Sequence, residues 1–373
     1  MSRHSLHLAT LICGTTLAIT HAYSEAAIGT PVEVVFVVDT TGSMGALIAG
    51  AKEKVWYIAQ DIVRQNQGAG IKMGLLAYRD RGDEYITRIY DLTTDLDQAY
   101  ANLMSFAAQG GGDAPESVNQ ALHEAVTRMS WSQDASTLRL IFLVGDCPPH
   151  MDYQDDVHYP ISCEAAQKQG IIINTVQCGA HQETTPFWKK IASLGKGEYA
   201  AISQDGGMQT INTPYDKEIT EISIALDSTV IPFGSRAEQT IVKEKISFAR
   251  KASPATQADR QSVNMLSGGR VVQGSYDLVQ EIIEGNATLA TIKADELPDN
   301  LKAMTAEERE QYVEEMKTKR AELNKQLAEL STKRMRHIAD ETAKNSAEMK
   351  NSFDAKISAM IKKQLAQMNA LAN

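Results

Sequence analysis

Residues 32–44 of the chain read VEVVFVVDTTGSM. A run of mostly β-branched apolar residues ends at Asp39, and Thr41 and Ser43 follow at alternate positions. A run with no polar face is typical of a strand buried on both faces of a parallel sheet. Such sheets carry their sites at the carboxyl ends of the strands. The stretch therefore predicts a site of oxygen ligands, which a hard cation such as Mg²⁺ prefers, at the end of the first strand.

Other apolar runs repeat this pattern between segments of helical periodicity. Ile71–Tyr78, Leu138–Gly145 and residues 171–177 are predicted to be buried strands, and the alternating residues 85–92 an edge strand. The spacing of apolar residues predicts a helix directly after the first strand. Strands that alternate with helices predict an α/β fold with a doubly wound, mostly parallel sheet and right-handed crossovers.

The composition divides the chain into four segments. We expect a signal peptide over residues 1–22, the α/β domain over 31–228, a helical linker region over 229–304, and a long C-terminal helix or helical hairpin over 305–373. After residue 229 the buried-strand runs end, and Lys, Glu, Ala, Gln and Met dominate. The fold class therefore includes an α-helical C-terminal region.

The last segment begins with a clear helix signal. Thr305 and Glu308 form a capping box that predicts a helix start at Ala306. Apolar residues then recur every seven positions, but Arg320 and Arg334 occupy inner positions of this repeat. The arginines make a long coiled coil unfavourable. We expect a short helical hairpin, or a stalk that binds a partner or a second copy of the chain.

Charge and the first residues limit the cellular context. The 373 residues carry a formal net charge of −10, which argues against nucleic acid and anionic membranes as partners. Residues 1–22 have a short positive start and an apolar stretch too short to span a bilayer, as in a secretory signal. No later run is long enough to cross a membrane. We expect a protein exported across the inner membrane, in the periplasm or, alternatively, outside the cell.

Three cysteines follow the predicted signal peptide, which permits one disulfide and one free thiol. Cys163 begins a predicted helix and Cys178 ends the strand after it, so both are expected at the same edge of the sheet. The first pairing predicted is Cys163–Cys178, and the second is Cys147–Cys178. Separations of the Cα atoms above about 7 Å would exclude either pair.

Two further segments place acids at that edge. Asp146 ends the strand Leu138–Gly145 just as Asp39 ends the first strand. Asp113 and Glu116 lie in a glycine-rich loop that leads into a helix. Because the carboxyl ends of parallel strands meet at one edge, we expect all three segments to form one site.

The order of these motifs resembles a known family. D-T-T-G-S, then G-G-G-D-A-P-E, then L-V-G-D is similar to the von Willebrand factor A domain and its metal-ion-dependent adhesion site, over about residues 31–226. The stretches AYRDRGDEY and GDCPPH look like the branch found in bacterial exported proteins and in some kinase-linked A domains.

The resemblance implies a ligand set and a cation. The D-x-P-E sequence resembles the loop of integrin β subunits, in which the Glu binds the central metal and the Asp helps to hold a neighbouring Ca²⁺. Asp113 is accordingly the candidate for a second metal. The ion implied for the main site is Mg²⁺, with Ca²⁺ or Mn²⁺ as alternatives. Its implied ligands are Asp39, Thr41, Ser43, Glu116 and Asp146.

The same resemblance implies a binding function without catalysis. The expected ligand is a protein that offers an acidic side chain to the metal. The alternative is a regulatory or assembly subunit of a larger enzyme complex, by analogy of fold alone. A haloacid-dehalogenase-type phosphatase would need a second Asp where Thr41 stands. Residues 45–52 resemble a phosphate-binding loop but lack the Gly before Lys.

Two further features are predicted to be ordinary surface structure. The tripeptide Arg81-Gly82-Asp83, which integrins bind, lies in a charged turn beside a strand. His150, His158 and His181 are scattered on loops, where most histidines are solvated.

Overall fold

The computed structural model describes residues 29–66, 70–112, 114–267, 276–344 and 350–372, and the predicted signal peptide lies outside them. A six-stranded sheet forms the centre of the molecule, in the order β3-β2-β1-β4-β5-β6. All neighbours are parallel except β3, which runs antiparallel to β2 at the edge. The strands are β1 (Val32–Asp39), β2 (Ile71–Tyr78), β3 (Thr87–Thr93), β4 (Leu138–Gly145), β5 (Ile171–Cys178) and β6 (Lys196–Ile202).

Helices cover both faces of this sheet, which confirms the predicted doubly wound fold. All eight residues of β1 and of β4 are buried, as the unbroken apolar runs predict. The helices that connect the strands and follow β6 are α1 (Gly45–Gln65), α2 (Leu96–Met104), α3 (Val118–Thr127), α4 (Tyr159–Lys168), α5 (Thr184–Leu194) and α6 (Asp216–Asp227).

Alternate residues of β1 belong to two separate cores. Val34 and Phe36 pack with α1 and α2 on one face, and the Phe36 ring stacks on Phe142 with centroids 5.5 Å apart. Val35 and Val37 pack with α3, α4 and α5 on the other face. The period of two along a strand thus assigns each side chain to one layer.

The cysteines show the consequence of this alternation. Cys163 on α4 lies in the core of one face, and Cys178 on β5 lies in the core of the opposite face. The predicted Cys163–Cys178 bridge is therefore wrong, because the sheet separates the two side chains. Cys147, Cys163 and Cys178 are all free thiols, so the second pairing is absent as well.

The region after residue 229 is helical, as predicted. Its helices are α7 (Arg236–Ala249), α8 (Pro254–Leu266), α9 (Leu278–Ile283), α10 (Asp299–Lys302), α11 (Ala306–Lys344) and α12 (Phe353–Ala372). The start of α11 at Ala306 confirms the capping box, in which the Thr305 amide donates to Glu308 at 2.7 Å and the Glu308 amide to Thr305 at 3.2 Å. In the described part of the chain, no helix is long and apolar enough to cross a membrane.

The last helix, α12, packs into the core between the sheet, α1 and α2, which is called the first core below. Phe353, Ile357 and Ile361 of α12 are buried among residues of β1, β4 and α1. The backbone amide of Phe353 also donates to the carbonyl of Gly206 in the loop after β6, at 2.8 Å. The sequence composition predicts that the chain divides into segments at residues 228 and 304. That division does not predict the contact of α12 with the sheet. The apolar stripe of α12 faces the sheet on the side of α1 and α2.

The long helix α11 packs on different elements. Leu327 and Leu330 lie in a small core with α6 and α8, and Met316 lies in another core with α9 and α10. Arg320 is buried and pairs with Asp277 at 2.7 Å. Arg334 is buried and pairs with two acids, which are Asp216 at 2.7 Å and Asp259 at 2.6 Å. The arginines at inner heptad positions are thus ion-pair contacts to neighbouring helices.

Candidate metal centre

The end of β1 forms a compact turn of polar groups. Asp39 is the last residue of β1, and its Oδ1 accepts hydrogen bonds from the Thr41 amide at 2.8 Å and the Thr41 hydroxyl at 2.6 Å. The hydroxyl oxygens of Thr41 and Ser43 lie 3.4 Å apart. Asp39 and Thr41 are buried, whereas Ser43 is exposed at the start of the short turn that leads into α1. The group therefore opens to solvent at Ser43.

The register of β1 and β4 brings Asp146 beside Asp39. Val38 pairs with Val144, so the two strands end level with each other. Gly145 makes the close approach of the strand ends feasible. A Cβ atom at this position would lie 3.1 Å from the Cβ of Asp39 and 2.4 Å from the hydroxyl of Tyr78. The L-V-G-D motif therefore needs its glycine for packing space.

Backbone hydrogen bonds fasten the three motif loops to one another. Two of them join the first motif to the glycine-rich loop, and two join the latter to the loop after β4. Glu116 also forms an isolated parallel bridge with Pro149. The four bonds run from Gln109 N to Thr40 O at 3.0 Å, Gly42 N to Gly110 O at 3.1 Å, Glu116 N to Pro148 O at 2.9 Å, and His150 N to Glu116 O at 3.1 Å.

The carboxyl groups of this centre are buried and electrostatically coupled. Burial raises the pKa of Asp39 to about 7, against the opposing hydrogen bonds from Thr41, and the charge of Asp146 adds to the rise. Burial also raises the pKa of Glu116 to about 9, and the charges of Asp39, Asp80, Asp83 and Asp146 contribute further. The centre therefore disfavours the negative charge that its own acids would carry.

Each of the three acids keeps one buried oxygen without a hydrogen-bond partner in the described part of the chain. These atoms are Asp39 Oδ2, Glu116 Oε2 and Asp146 Oδ1. A buried carboxylate oxygen without a partner costs free energy unless a cation or a donor satisfies it. The donor set of carboxylates and hydroxyls consequently fits a hard divalent cation.

The acids do not form a metal cage by themselves. Among the residues that the structure describes, no three His, Cys, Asp or Glu side chains are arranged to hold a metal ion. The hydroxyls of Thr41 and Ser43, with water, would complete the coordination, because Mg²⁺ usually keeps several waters. The prediction of a second metal at Asp113 lies outside the described residues.

The structure brings together all five residues predicted for the main site, and it adds one that the sequence analysis missed. Gln204 follows the end of β6, and its side-chain amide donates to Asp146 Oδ2 at 2.7 Å. No motif surrounds Gln204 in the sequence. The rule that strand ends carry sites is the one signal that could have found it.

The charged turn after β2 supports the same loops. The guanidinium of Arg79 is buried and donates to the carbonyls of Thr40 at 3.2 Å and Ala107 at 2.9 Å. Asp83 accepts a hydrogen bond from the Gly111 amide at 3.1 Å, and Arg81 pairs with Asp155 at 2.9 Å. Both charged residues of the tripeptide Arg81-Gly82-Asp83 are thus engaged within the chain.

One of the three loop histidines differs from its prediction. His150 is buried, with its ring stacked on Tyr153 at 4.0 Å between centroids. Its Nε2 lies 3.3 Å from Asp80 and its Nδ1 lies 2.8 Å from Asp152. The expectation of a solvated side chain is wrong for His150, because the loop after β4 folds back onto the charged turn.

Comparison with known families gives the fold a name. Residues 33–214 match the family model of the von Willebrand factor A domain. This region is a von Willebrand factor A domain. Such A domains generally mediate protein interactions. The match spans β1 to β6 and therefore includes the whole candidate centre.

One curated relative is similar to less than half of the chain. An ariadne-like RING finger protein of Acanthamoeba polyphaga mimivirus is 24% identical over 185 residues. The aligned segment is 45% of this chain and 18% of that protein, so the chain spans less than a fifth of the curated relative it matches.

Solved structures give distant similarities. Proximal thread matrix protein 1 from the mussel byssus is 15% identical, with a TM-score of 0.37, over 48% of this chain and 43% of that chain. A second structure of the same protein, described with a zinc-occupied MIDAS motif, is 14% identical with the same TM-score and coverage. The VWA domain of SpRpn10 is 14% identical, with a TM-score of 0.36, over 46% of this chain and 88% of that chain.

Proposed function

We propose that the A domain binds a divalent cation, Mg²⁺ in the first place, and through it a protein ligand that offers a carboxylate. The observation that carries this proposal is a set of three buried carboxylate oxygens that have no hydrogen-bond partner among the described residues. They lie at the ends of β1 and β4 and in the glycine-rich loop. Raised pKa values at Asp39 and Glu116 support it, because they mark a centre short of positive charge.

The five residues would divide the work of holding the ion. Thr41 and Ser43 offer neutral hydroxyl oxygens, and Glu116 offers a carboxylate from the glycine-rich loop. Asp39 and Asp146 would orient bound water and the Thr41 hydroxyl. Asp39 already accepts a hydrogen bond from that hydroxyl. Two neutral ligands leave the ion short of negative charge, so a carboxylate from a partner is the complementary ligand. The cation, when bound, supplies this bridge between the two proteins.

The ligand is unidentified, so the test begins with the metal alone. Titration calorimetry of the full chain should show Mg²⁺ binding that Asp39→Ala removes and that Glu183→Ala, an exposed acid outside the centre, leaves unchanged. Affinity capture with Mg²⁺ should then retain a protein that is released by a chelator. Capture that survives both chelation and Asp39→Ala would contradict the proposal.

The cellular location and the alternative function are proposed from the sequence alone. Export across the inner membrane rests on residues 1–22, and cell fractionation tests it. In the alternative, the domain is a regulatory or assembly subunit, and a catalytic protein should then co-purify with it.

The proposal excludes catalysis by this chain. Turnover of phosphate esters by the purified protein, lost in Asp39→Ala, would overturn that exclusion.

A further inference from the structure

We propose that Gln204 is a positioning residue of the metal centre, whose amide holds Asp146 with one carboxylate oxygen free to orient the water bound to the cation. This inference rests on the proposed function, because it requires a divalent cation at that centre. It goes further in naming a residue outside the three motifs that sets the geometry of the site.

The amide of Gln204 joins two of the motif loops. Its Nε2 donates to Asp146 Oδ2 at 2.7 Å and to the backbone carbonyl of Ser43 at 3.2 Å. Asp146 follows β4 and Ser43 follows β1, whereas Gln204 follows β6. One primary amide therefore spans three strand ends. With Oδ2 occupied, the free oxygen of Asp146 is Oδ1, which is buried and has no partner in the described part of the chain.

The fold makes room for this amide. Gly179, at the end of β5, has a φ of +72°, and a Cβ atom there would lie 2.2 Å from Oε1 of Gln204. The Gly179 amide donates to the carbonyl of Ile202 at 2.9 Å, which fastens the end of β5 to the end of β6. A glycine at this position satisfies both the positive φ and the close approach. The ends of β5 and β6 thus form a slot for the Gln204 side chain.

Fixing Asp146 matters more for a small cation than for a large one. Mg²⁺ requires near-ideal octahedral geometry, whereas Ca²⁺ accepts six to eight oxygens in flexible arrangements. Residues that orient metal ligands from outside the coordination sphere typically contribute about 10–100-fold to metal affinity. If Gln204 acts in this way, its loss should weaken Mg²⁺ binding more than Ca²⁺ binding.

The variant Gln204→Met tests this inference, because methionine keeps the length of the side chain and removes the donor. We expect the dissociation constant for Mg²⁺ to rise by about 10–100-fold and that for Ca²⁺ to rise less, so that the ratio of the two affinities changes. The matched control is Gln182→Met, at an exposed position in the neighbouring loop after β5. Calorimetry measures both affinities on the full chain, and thermal unfolding in EDTA monitors the fold without metal.

Four outcomes are distinguishable. A wild-type chain that binds neither ion overturns the proposed function itself. If the wild type binds Mg²⁺ and Gln204→Met binds it equally, this inference alone is overturned. A fall of both affinities by the same factor, together with a lower Tm in EDTA, shows a merely structural role and also overturns it. An unchanged Tm in EDTA with a selective loss of Mg²⁺ binding supports it.

Discussion

Protons and a bound metal ion would compete for the same carboxyl groups of the candidate metal centre. Asp39, with a pKa of about 7, and Glu116, with a pKa of about 9, bind protons more tightly in the folded chain than in the unfolded one, where the ordinary values are 3.8 and 4.5. A cation at the centre would replace these protons, since metal ligands must be deprotonated. The metal-free and metal-bound domains should therefore respond to pH in different ways.

We expect the stability of the metal-free chain to fall as the pH rises from 5 to 9. The folded state binds more protons than the unfolded state over this range, so the free energy of unfolding decreases with pH. The slope should be smaller in Glu116→Gln, which cannot titrate, and smaller with saturating Mg²⁺. Urea denaturation at several pH values, in EDTA and in Mg²⁺, measures this. A slope that is identical in wild type and Glu116→Gln would contradict the assignment.

Single residues also show what the sequence can and cannot predict at the site. The five predicted ligands were accessible to sequence reasoning because each follows a strand end or lies in a short motif. Gln204 was not, since its role depends on a contact across 58 positions to Asp146. The burial of His150 is not predictable for the same reason, because it depends on contacts with the charged turn after β2.

At the scale of elements, α11 shows how polar residues can place a helix. Its apolar stripe alone resembles a coiled-coil seam interrupted by Arg320 and Arg334. In the fold these arginines meet acids of α6, α8 and the start of α9, as the pairs of Arg334 with Asp216 and Asp259 illustrate. Helix existence and the start at Ala306 were predictable from local signals. The partners of α11 were not, because charge pairing between distant helices leaves no local pattern.

Arg334→Met should destabilise the chain strongly. The substitution leaves Asp216 and Asp259 buried without their shared cation, and breaking such a buried pair typically costs about 3–5 kcal/mol. Arg336→Met, at an exposed position two residues on, serves as the control and should change stability little. Urea denaturation of both variants measures the difference. Equal stability of the two would show that the buried pairs do not hold α11.

For the whole molecule, the main departure from the predicted division is the return of α12 to the sheet. The predicted α/β domain ends at residue 228, yet part of its first core comes from residues 353–365. Sequence patterns found the stripe of α12 but could not assign its partner, because an amphipathic helix fits any apolar face of suitable width. The domain is thus built from two separate parts of the chain.

A charge on the inner face of α12 should therefore disrupt the A domain itself. Ile357 is fully buried, and Ile357→Asp introduces an unpaired charge into the core beside β1, at a cost of about 3–5 kcal/mol. Ala366→Asp, on the exposed side of α12, should have little effect. Near-ultraviolet circular dichroism and urea denaturation of the two variants report on the packing of the sheet. The role given to α12 would be contradicted if Ile357→Asp and Ala366→Asp both unfolded the domain, or if neither variant lost stability.

The position of α12 also has a consequence for synthesis. β1 is made early, but the side of the sheet that α1 and α2 cover lacks part of its cover until α12 has left the ribosome, more than 300 residues later. At about 5–20 residues per second, this interval lasts about 15–60 s. During that time the nascent chain carries an open apolar surface that invites chaperones or premature association. The core between the sheet, α1 and α2 is consequently completed only when α12 has been made, long after β1.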